Sequence, residues 1–136
     1  MRTLYACFLT VSMSALGFLG WRCLQYQKSV VIVIPSYNNA EWCDKNLSSV
    51  FAQDYPNYSV IYIDDQSDDH TYDLVVKKVA ESGKQQQVTV IKNEQRKGAL
   101  ANIYNAIHTH CSDKDIVFLL DGDDWFKHDK VLSTVV

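Results

Sequence analysis

Apolar and polar positions fall in blocks along most of this chain, and the period of the blocks alternates. From Val30 the run VVIVIP is β-branched and continuous until Pro35 stops it, which predicts a strand buried on both faces. A helix should follow with Leu47, Val50 and Phe51 on its inner side, until DYPNY breaks it. YSVIYID, from Tyr58 to Asp64, predicts a second strand, and Tyr72, Val75, Val76, Val79 and Ala80 recur at the spacing of a second helix. VTVIK predicts a third strand, Leu100, Ile103, Tyr104 and Ile107 a third helix, and DIVFLLD, from Asp115 to Asp121, a fourth strand; a last helix should begin near His128. Strands alternating with helices imply βαβ units, hence an α/β fold with a mostly parallel sheet covered on both faces. The chain has no internal repeat and no low-complexity tract.

The beginning of the chain follows a different pattern. Leu4 to Trp21 is 18 residues without a charge, bracketed by Arg2 and Arg22. As a helix it would reach ~27 Å, close to the ~30 Å of a hydrocarbon core. It has no polar stripe at helical spacing and no convincing small-x-small cleavage site before the charged residues resume at Arg22. We therefore expect an uncleaved membrane helix over residues 1–21, a linker over 22–28 and a globular domain over 29–136. Basic residues flank both ends of the apolar run, so charge alone sets no orientation.

Composition narrows the function classes. With 47% hydrophobic and 21% charged residues and a formal net charge of −3, the chain is ordinary globular material. No basic run interleaved with aromatics is present, which argues against a nucleic-acid partner. Cys7, Cys23, Cys43 and Cys111 form no C-x-x-C pair, so neither a zinc site nor a disulfide framework is indicated. His108 and His110, two apart on an expected helix, point to different faces and make a poor metal pair.

In open parallel sheets ligands bind beyond the carboxyl ends of the strands. Here the four ends read Pro35-Ser36-Tyr37-Asn38, Asp64-Asp65, Arg96-Lys97-Gly98 (after the third strand) and Asp121-Gly122-Asp123-Asp124. Any one of them alone reads equally well as a solvated loop or a helix cap. Together they suit a nucleotide diphosphate carried on Mn²⁺ or Mg²⁺, hard cations that need only one or two protein carboxylates when phosphates complete the shell. Asp121 and Asp123 would supply those carboxylates, with Gly122 keeping the turn compact. Asp65 could accept from a base N–H, Tyr37 could offer its ring for stacking, and Arg96 and Lys97 could offset phosphate charge.

The ordered set carries a resemblance. VIPSYNN, NLSSVFAQDYPNYSVIYIDDQSDDHT, RKGALANIYNAI and LLDGDD together resemble the first half of a family-2 glycosyltransferase with the Rossmann-like GT-A fold, over residues 29–136. The resemblance implies transfer of a sugar from a nucleotide donor, commonly a UDP-sugar, with inversion at the anomeric carbon. It implies Tyr37 and Asp65 at the base, Asp64 supporting their loop, and Arg96 near base or phosphates. It places Asp121 toward the ribose and Asp123 on the metal, a D-x-D motif, with Pro35 and Gly98 completing the donor site; Asp124 either stands behind the metal or caps the last helix. The family's D-D-G-S loop has Gln66 in place of glycine here, and His70 replaces another glycine, so a bulged turn and a re-aimed Asp65 are expected. The family's general base lies well downstream of D-x-D, which puts it beyond Val136, so no catalytic base is assigned and the chain alone is expected to be inactive.

Other readings stay open on sequence alone: a receiver-like Mg²⁺-binding phosphoacceptor module, a haloacid-dehalogenase-like phosphatase, or an inert membrane-tethered fragment. The domain would be cytosolic in a bacterial source, and a Golgi-lumenal orientation is open in a eukaryotic one. Asn46 and Asn57 begin formal glycosylation sequons, the first expected to be incidental because it lies in a helix.

Overall fold

The computed structural model describes residues 27–136. The expected membrane helix over 1–21 and most of the linker over 22–28 lie outside the described residues. Among the described residues no helix is long and apolar enough to cross a membrane.

Four strands and four helices alternate: β1 (Val30–Ser36), α1 (Cys43–Phe51), β2 (Tyr58–Asp64), α2 (Thr71–Ser82), β3 (Val88–Lys92), α3 (Ala99–His110), β4 (Ile116–Leu119) and α4 (Val131–Val135). The strands form one parallel sheet in the order β3-β2-β1-β4. All seven residues of β1 are buried, as its uninterrupted β-branched run requires of a strand bonded on both sides. Its alternate side chains feed two cores. Val30, Ile32 and Ile34 join Val60 and Tyr62 of β2, Leu47 and Val50 of α1, and Val75 and Val79 of α2. Val31 and Val33 join Ile61 and Ile63 and pack with Ala106 of α3.

The chain steps outward from β1 to β2 to β3, then returns past both to place β4 on the other side of β1. The strand order therefore reverses between β1 and β4, and the crevice beyond their carboxyl ends is the topological switch point where open sheets bind ligands. Pro35 to Asn38 and Asp121 to Asp124 border this crevice.

The structure shifts several expected boundaries and faces. β4 ends at Leu119 and not at Asp121, although Leu120 N–H still donates to Val33 O and Gly122 N–H to Pro35 O, both at 3.1 Å. The last helix begins at Val131 and not near His128, because the preceding backbone is tied to the turn after α1: Gln53 Nε2 donates to His128 O and Asp54 N–H to Asp129 O. On α2 the buried stripe is Thr71, Val75 and Val79, leaving Val76 and Ala80 exposed. On α3 the sheet takes Asn102 and Ala106, so Leu100 and Tyr104 face outward and Tyr104 stacks on His108 at 4.0 Å. Ala106 packs in the core of this face with Ile103 beside it, and Asn102 ties the helix to the loop after β3 by accepting from Asn93 Nδ2.

His70, which precedes α2, adopts the left-handed conformation (φ 68°) without making a side-chain cap hydrogen bond. A side chain with a Cβ costs about 1–2 kcal/mol there, part of which glycine returns to the unfolded chain as entropy. His70→Gly should therefore raise the unfolding free energy by about 0.5–1 kcal/mol in a urea titration; an unchanged or lower midpoint at constant m-value would contradict it.

Candidate functional site

The loops after β1 and β2 are laced together by hydrogen bonds. Asn38 N–H donates to Ser67 Oγ (2.9 Å) and Asn38 Oδ1 accepts from Asp68 N–H (3.1 Å). Asn39 N–H donates to Thr71 Oγ1 and Ala40 N–H to Asp69 Oδ2, both at 2.9 Å. Burial works against the charged form of Asp69, but donors from Thr71 and Ala40 overcome it and hold its pKa below the usual carboxylate range. Asp64 is fully buried and accepts from Ser67 N–H at 3.3 Å, in keeping with a supporting role in its loop; its other oxygen has no partner among the described residues.

The next carboxylate organises a different loop. Asp65 Oδ1 accepts from Asn93 Nδ2 (2.8 Å) and Lys97 N–H (2.9 Å), and Oδ2 from Gly98 N–H (2.8 Å). Burial alone would raise its pKa, yet the Lys97 N–H, the Asn93 amide and the Gly98 N–H together hold it down at about 2. Asn93 Nδ2 also donates to Asn102 Oδ1 at 2.8 Å, which binds α3 to the same network. The expected acceptor of a base N–H is thus largely committed to protein donors, and only Oδ2, with one donor, keeps room for another.

Gln66 takes the left-handed conformation (φ 62°), which glycine adopts most readily. Its side chain then reaches across, Oε1 accepting from Arg96 N–H at 3.0 Å. Arg96 lays its guanidinium over Tyr37, 3.8 Å from the ring centroid. The ring face expected to receive a base therefore carries a cation in this structure. Pro35, Tyr37, Asp65, Arg96 and Gly98 line one hollow of about 110 Å³ with Ser36, Ala99 and Asn102. Five of the seven expected donor contacts are thereby brought together; Asp64 lies beneath them and Asp121 beside them on the next strand end. The Lys97 side chain is not among them and lines a separate hollow against α3.

Asp121, Asp123 and Asp124 are all exposed, whereas Gly122 between them is buried. A Cβ on Gly122 would lie 2.5 Å from Asn39 Nδ2 and 2.6 Å from Ser36 Oγ, so glycine is needed for close approach to the β1 loop. Asn46 on α1 is fully buried and its amide donates to Asp121 O (3.1 Å) and Asp124 O (2.8 Å). Asp124 does not cap the last helix, which begins after Lys130 with no side-chain cap. Among the described residues no three His, Cys, Asp or Glu side chains are grouped to hold a metal. Two exposed, unpartnered carboxylates on a tight turn nevertheless fit Mg²⁺ or Mn²⁺ whose remaining positions go to phosphate oxygens.

Sequence reasoning passed over Asn46, Asn93 and Asn102. Each is a polar residue within or beside a buried stripe, and that misplacement in the apolar pattern is the available signal. Asn46 is inaccessible as a glycosylation site in this fold, whereas Asn57 is exposed.

An open parallel sheet with its polar loops gathered at the switch point defines a doubly wound α/β domain. Residues 31–136 match the family described as glycosyl transferase family 2, and the chain belongs to that family. It is 33% identical over 96 residues to an Escherichia coli UDP-Glc:alpha-D-GlcNAc-diphosphoundecaprenol beta-1,3-glucosyltransferase, WfgD, covering 71% of this chain and 36% of that protein. It is 30% identical over 104 residues to the putative teichuronic acid biosynthesis glycosyltransferase TuaG of Bacillus subtilis, covering 75% and 38%. The chain thus spans little more than a third of these relatives. The fold superposes on the Pyrobaculum calidifontis mannosyltransferase PcManGT, solved with GDP-Man and Mn²⁺, with a TM-score of 0.70 and 25% identity over 80% of this chain and 31% of that one. S. aureus TarS, solved with UDP, shares the fold at a TM-score of 0.66 and 23% identity over 79% of this chain and 30% of that one. The parallel α/β fold is that of GT-A glycosyltransferases.

The depressed pKa of Asp65 makes stability depend on pH. Its contribution is fully present above the unfolded value near 4 and is lost as pH falls toward about 2. Wild-type protein should lose about 2 kcal/mol more between pH 4 and pH 2 than Asp65→Asn, by denaturant titration at each pH. Parallel acid profiles for the two proteins would overturn this.

Proposed function

We propose that residues 29–136 bind a nucleotide-diphospho sugar, a UDP-sugar foremost, through Mn²⁺ or Mg²⁺ and form the donor side of an inverting sugar transfer. The observation that carries this reading is the single hollow lined by Pro35, Tyr37, Asp65, Arg96 and Gly98, with the Asp121–Asp123 turn on the adjoining strand end. It is supported by the nucleotide sugars and Mn²⁺ named for relatives and structural neighbours.

On this reading Tyr37 and Arg96 enclose the base, and Asp65 acts mainly by holding the Lys97–Gly98 backbone in place. Arg96, whose backbone Gln66 anchors, supplies positive charge beside the diphosphate. Asp123 and Asp121 hold the cation, with Asp121 on the side toward the ribose. The bound cation would stabilise the departing diphosphate as a Lewis acid. No described residue is assigned the general base that deprotonates the acceptor, so residues 1–136 tested alone are expected to bind donor without transferring sugar. Family membership displaces the receiver-like and dehalogenase-like readings, and Ser36 and Tyr37 stand where a receiver would carry acids after its first strand.

Calorimetry should show UDP binding that Mn²⁺ strengthens. Asp123→Ala should remove that strengthening by about tenfold or more, the scale on which even residues behind a metal's ligands act. Absence of UDP binding in the presence of Mn²⁺, or a variant indistinguishable from wild type, would sink the reading.

A further inference from the structure

The carboxylates of Asp121 and Asp123 have no hydrogen-bond or ion-pair partner among the described residues, so the backbone turn sets the Cα–Cβ directions from which they extend and no neighbouring side chain fixes them further. That turn is held in three ways. Asp124 N–H donates to Asp121 O at 3.0 Å and closes it; Gly122 N–H donates to Pro35 O at 3.1 Å and ties it to β1. The third restraint comes from a side chain 75 residues away, whose two amide hydrogens bridge the first and last carbonyls of the turn: Asn46 Nδ2 to Asp121 O and to Asp124 O.

The chemistry of Asn46 suits this task. Its side chain is fully buried on the inner stripe of α1, among Cys43, Leu47 and Val50. A polar group there costs stability unless it is satisfied, and its Oδ1 has no partner among the described residues. An apolar residue would fill this position more favourably if packing were the only requirement. The donors also settle the amide's orientation, since a flipped amide would set its oxygen against two carbonyl oxygens. Ser49 Oγ, farther along α1, accepts from Phe126 N–H (3.0 Å), and Gln53 Oε1, just past its end, from Leu132 N–H (3.1 Å). These residues hold the segment after the turn and make no hydrogen bond to Asp121 to Asp124.

We propose that Asn46 is a positioning residue for the cation site, its amide holding the Asp121–Asp124 turn so that Asp121 and Asp123 present their carboxylates to a divalent cation on UDP. The proposal rests on the donor-site reading above. Its test compares full-length wild type, Asn46→Ala, Asn46→Ser and Ser49→Ala by UDP calorimetry with and without Mn²⁺, alongside thermal unfolding. Asn46→Ala should reduce the Mn²⁺-dependent gain in UDP affinity by about tenfold while metal-free UDP binding stays at the wild-type value. Ser49→Ala should lower the melting temperature and keep the full gain. If Asn46→Ala does not fold, Asn46→Ser, which fits the space and keeps one donor, should show a smaller loss of the gain in the same direction. A wild-type gain retained in the folded Asn46 variant, or an equal loss in Ser49→Ala, overturns the proposal while leaving the donor-site reading intact. Absence of any Mn²⁺-dependent gain in wild type overturns both.

Discussion

β1 is bonded on both sides and buried along its whole length, and the site inherits its position from that strand. A strand in this environment must be apolar on both faces, so it can carry no chemistry until it ends. The change occurs within three residues, from Ile34 through Pro35 to Ser36, whose hydroxyl accepts from Tyr62 OH at 2.9 Å and from Asn39 Nδ2 at 3.1 Å. Because β2 and β4 are parallel to β1 and in register with it, their polar ends emerge at the same rim. The hydrophobic pattern of one strand thereby sets the level at which Tyr37, Asp65 and Asp121 to Asp124 reach solvent.

Beyond the rim, stability and site geometry depend on the same hydrogen bonds. The β1 and β2 loops contain few apolar residues to bury, and Asp69, Thr71, Asn38 and Ser67 replace core packing with side-chain bonds to backbone N–H groups. Each neutral bond contributes about 0.5–1.5 kcal/mol net, and bonds to a carboxylate more. Asp65 is the strongest case, because the donors from Asn93, Lys97 and Gly98 must overcome its burial before it can hold the loop that carries Arg96. The site is therefore built chiefly from groups that bond to one another, leaving the carboxylates of Asp121 and Asp123 as its outward elements.

The fold was readable because its elements obey simple periods. VVIVIP, YSVIYID and VTVIK mark strands that the structure places within a residue of their expected limits. Helical faces were read less well: Leu100 and Tyr104 fit an inner stripe as well as Asn102 and Ala106 do until the loop after β3 is known to require Asn102. For the site, motif order identified which residues would gather at the rim, but not how they would be occupied. Nothing in DDQS reveals that Asp65 will be met by Lys97 and Gly98 amides, since those donors come from a loop about thirty residues away. The role of Asn46 was hidden for the same reason, as both of its acceptors follow β4.

The two departures from glycine show how this rim tolerates residues that local preference disfavours. Asn38, Gln66 and His70 all have positive φ, and they are the non-glycine residues to do so among the described residues. All three lie in the two loops that are laced together, so the strain is concentrated where hydrogen bonds from a neighbouring loop determine the backbone. Asparagine carries the smallest penalty of the three residue types. Gln66 offsets its cost by accepting from Arg96 N–H, linking a turn after β2 to the cation that stacks on Tyr37 after β1. Glycine there would relax the turn and remove that link. The substitution at position 66 is thus part of the geometry that sets Arg96 over the hollow, whereas the one at position 70 has no such partner and remains a local cost at the start of α2.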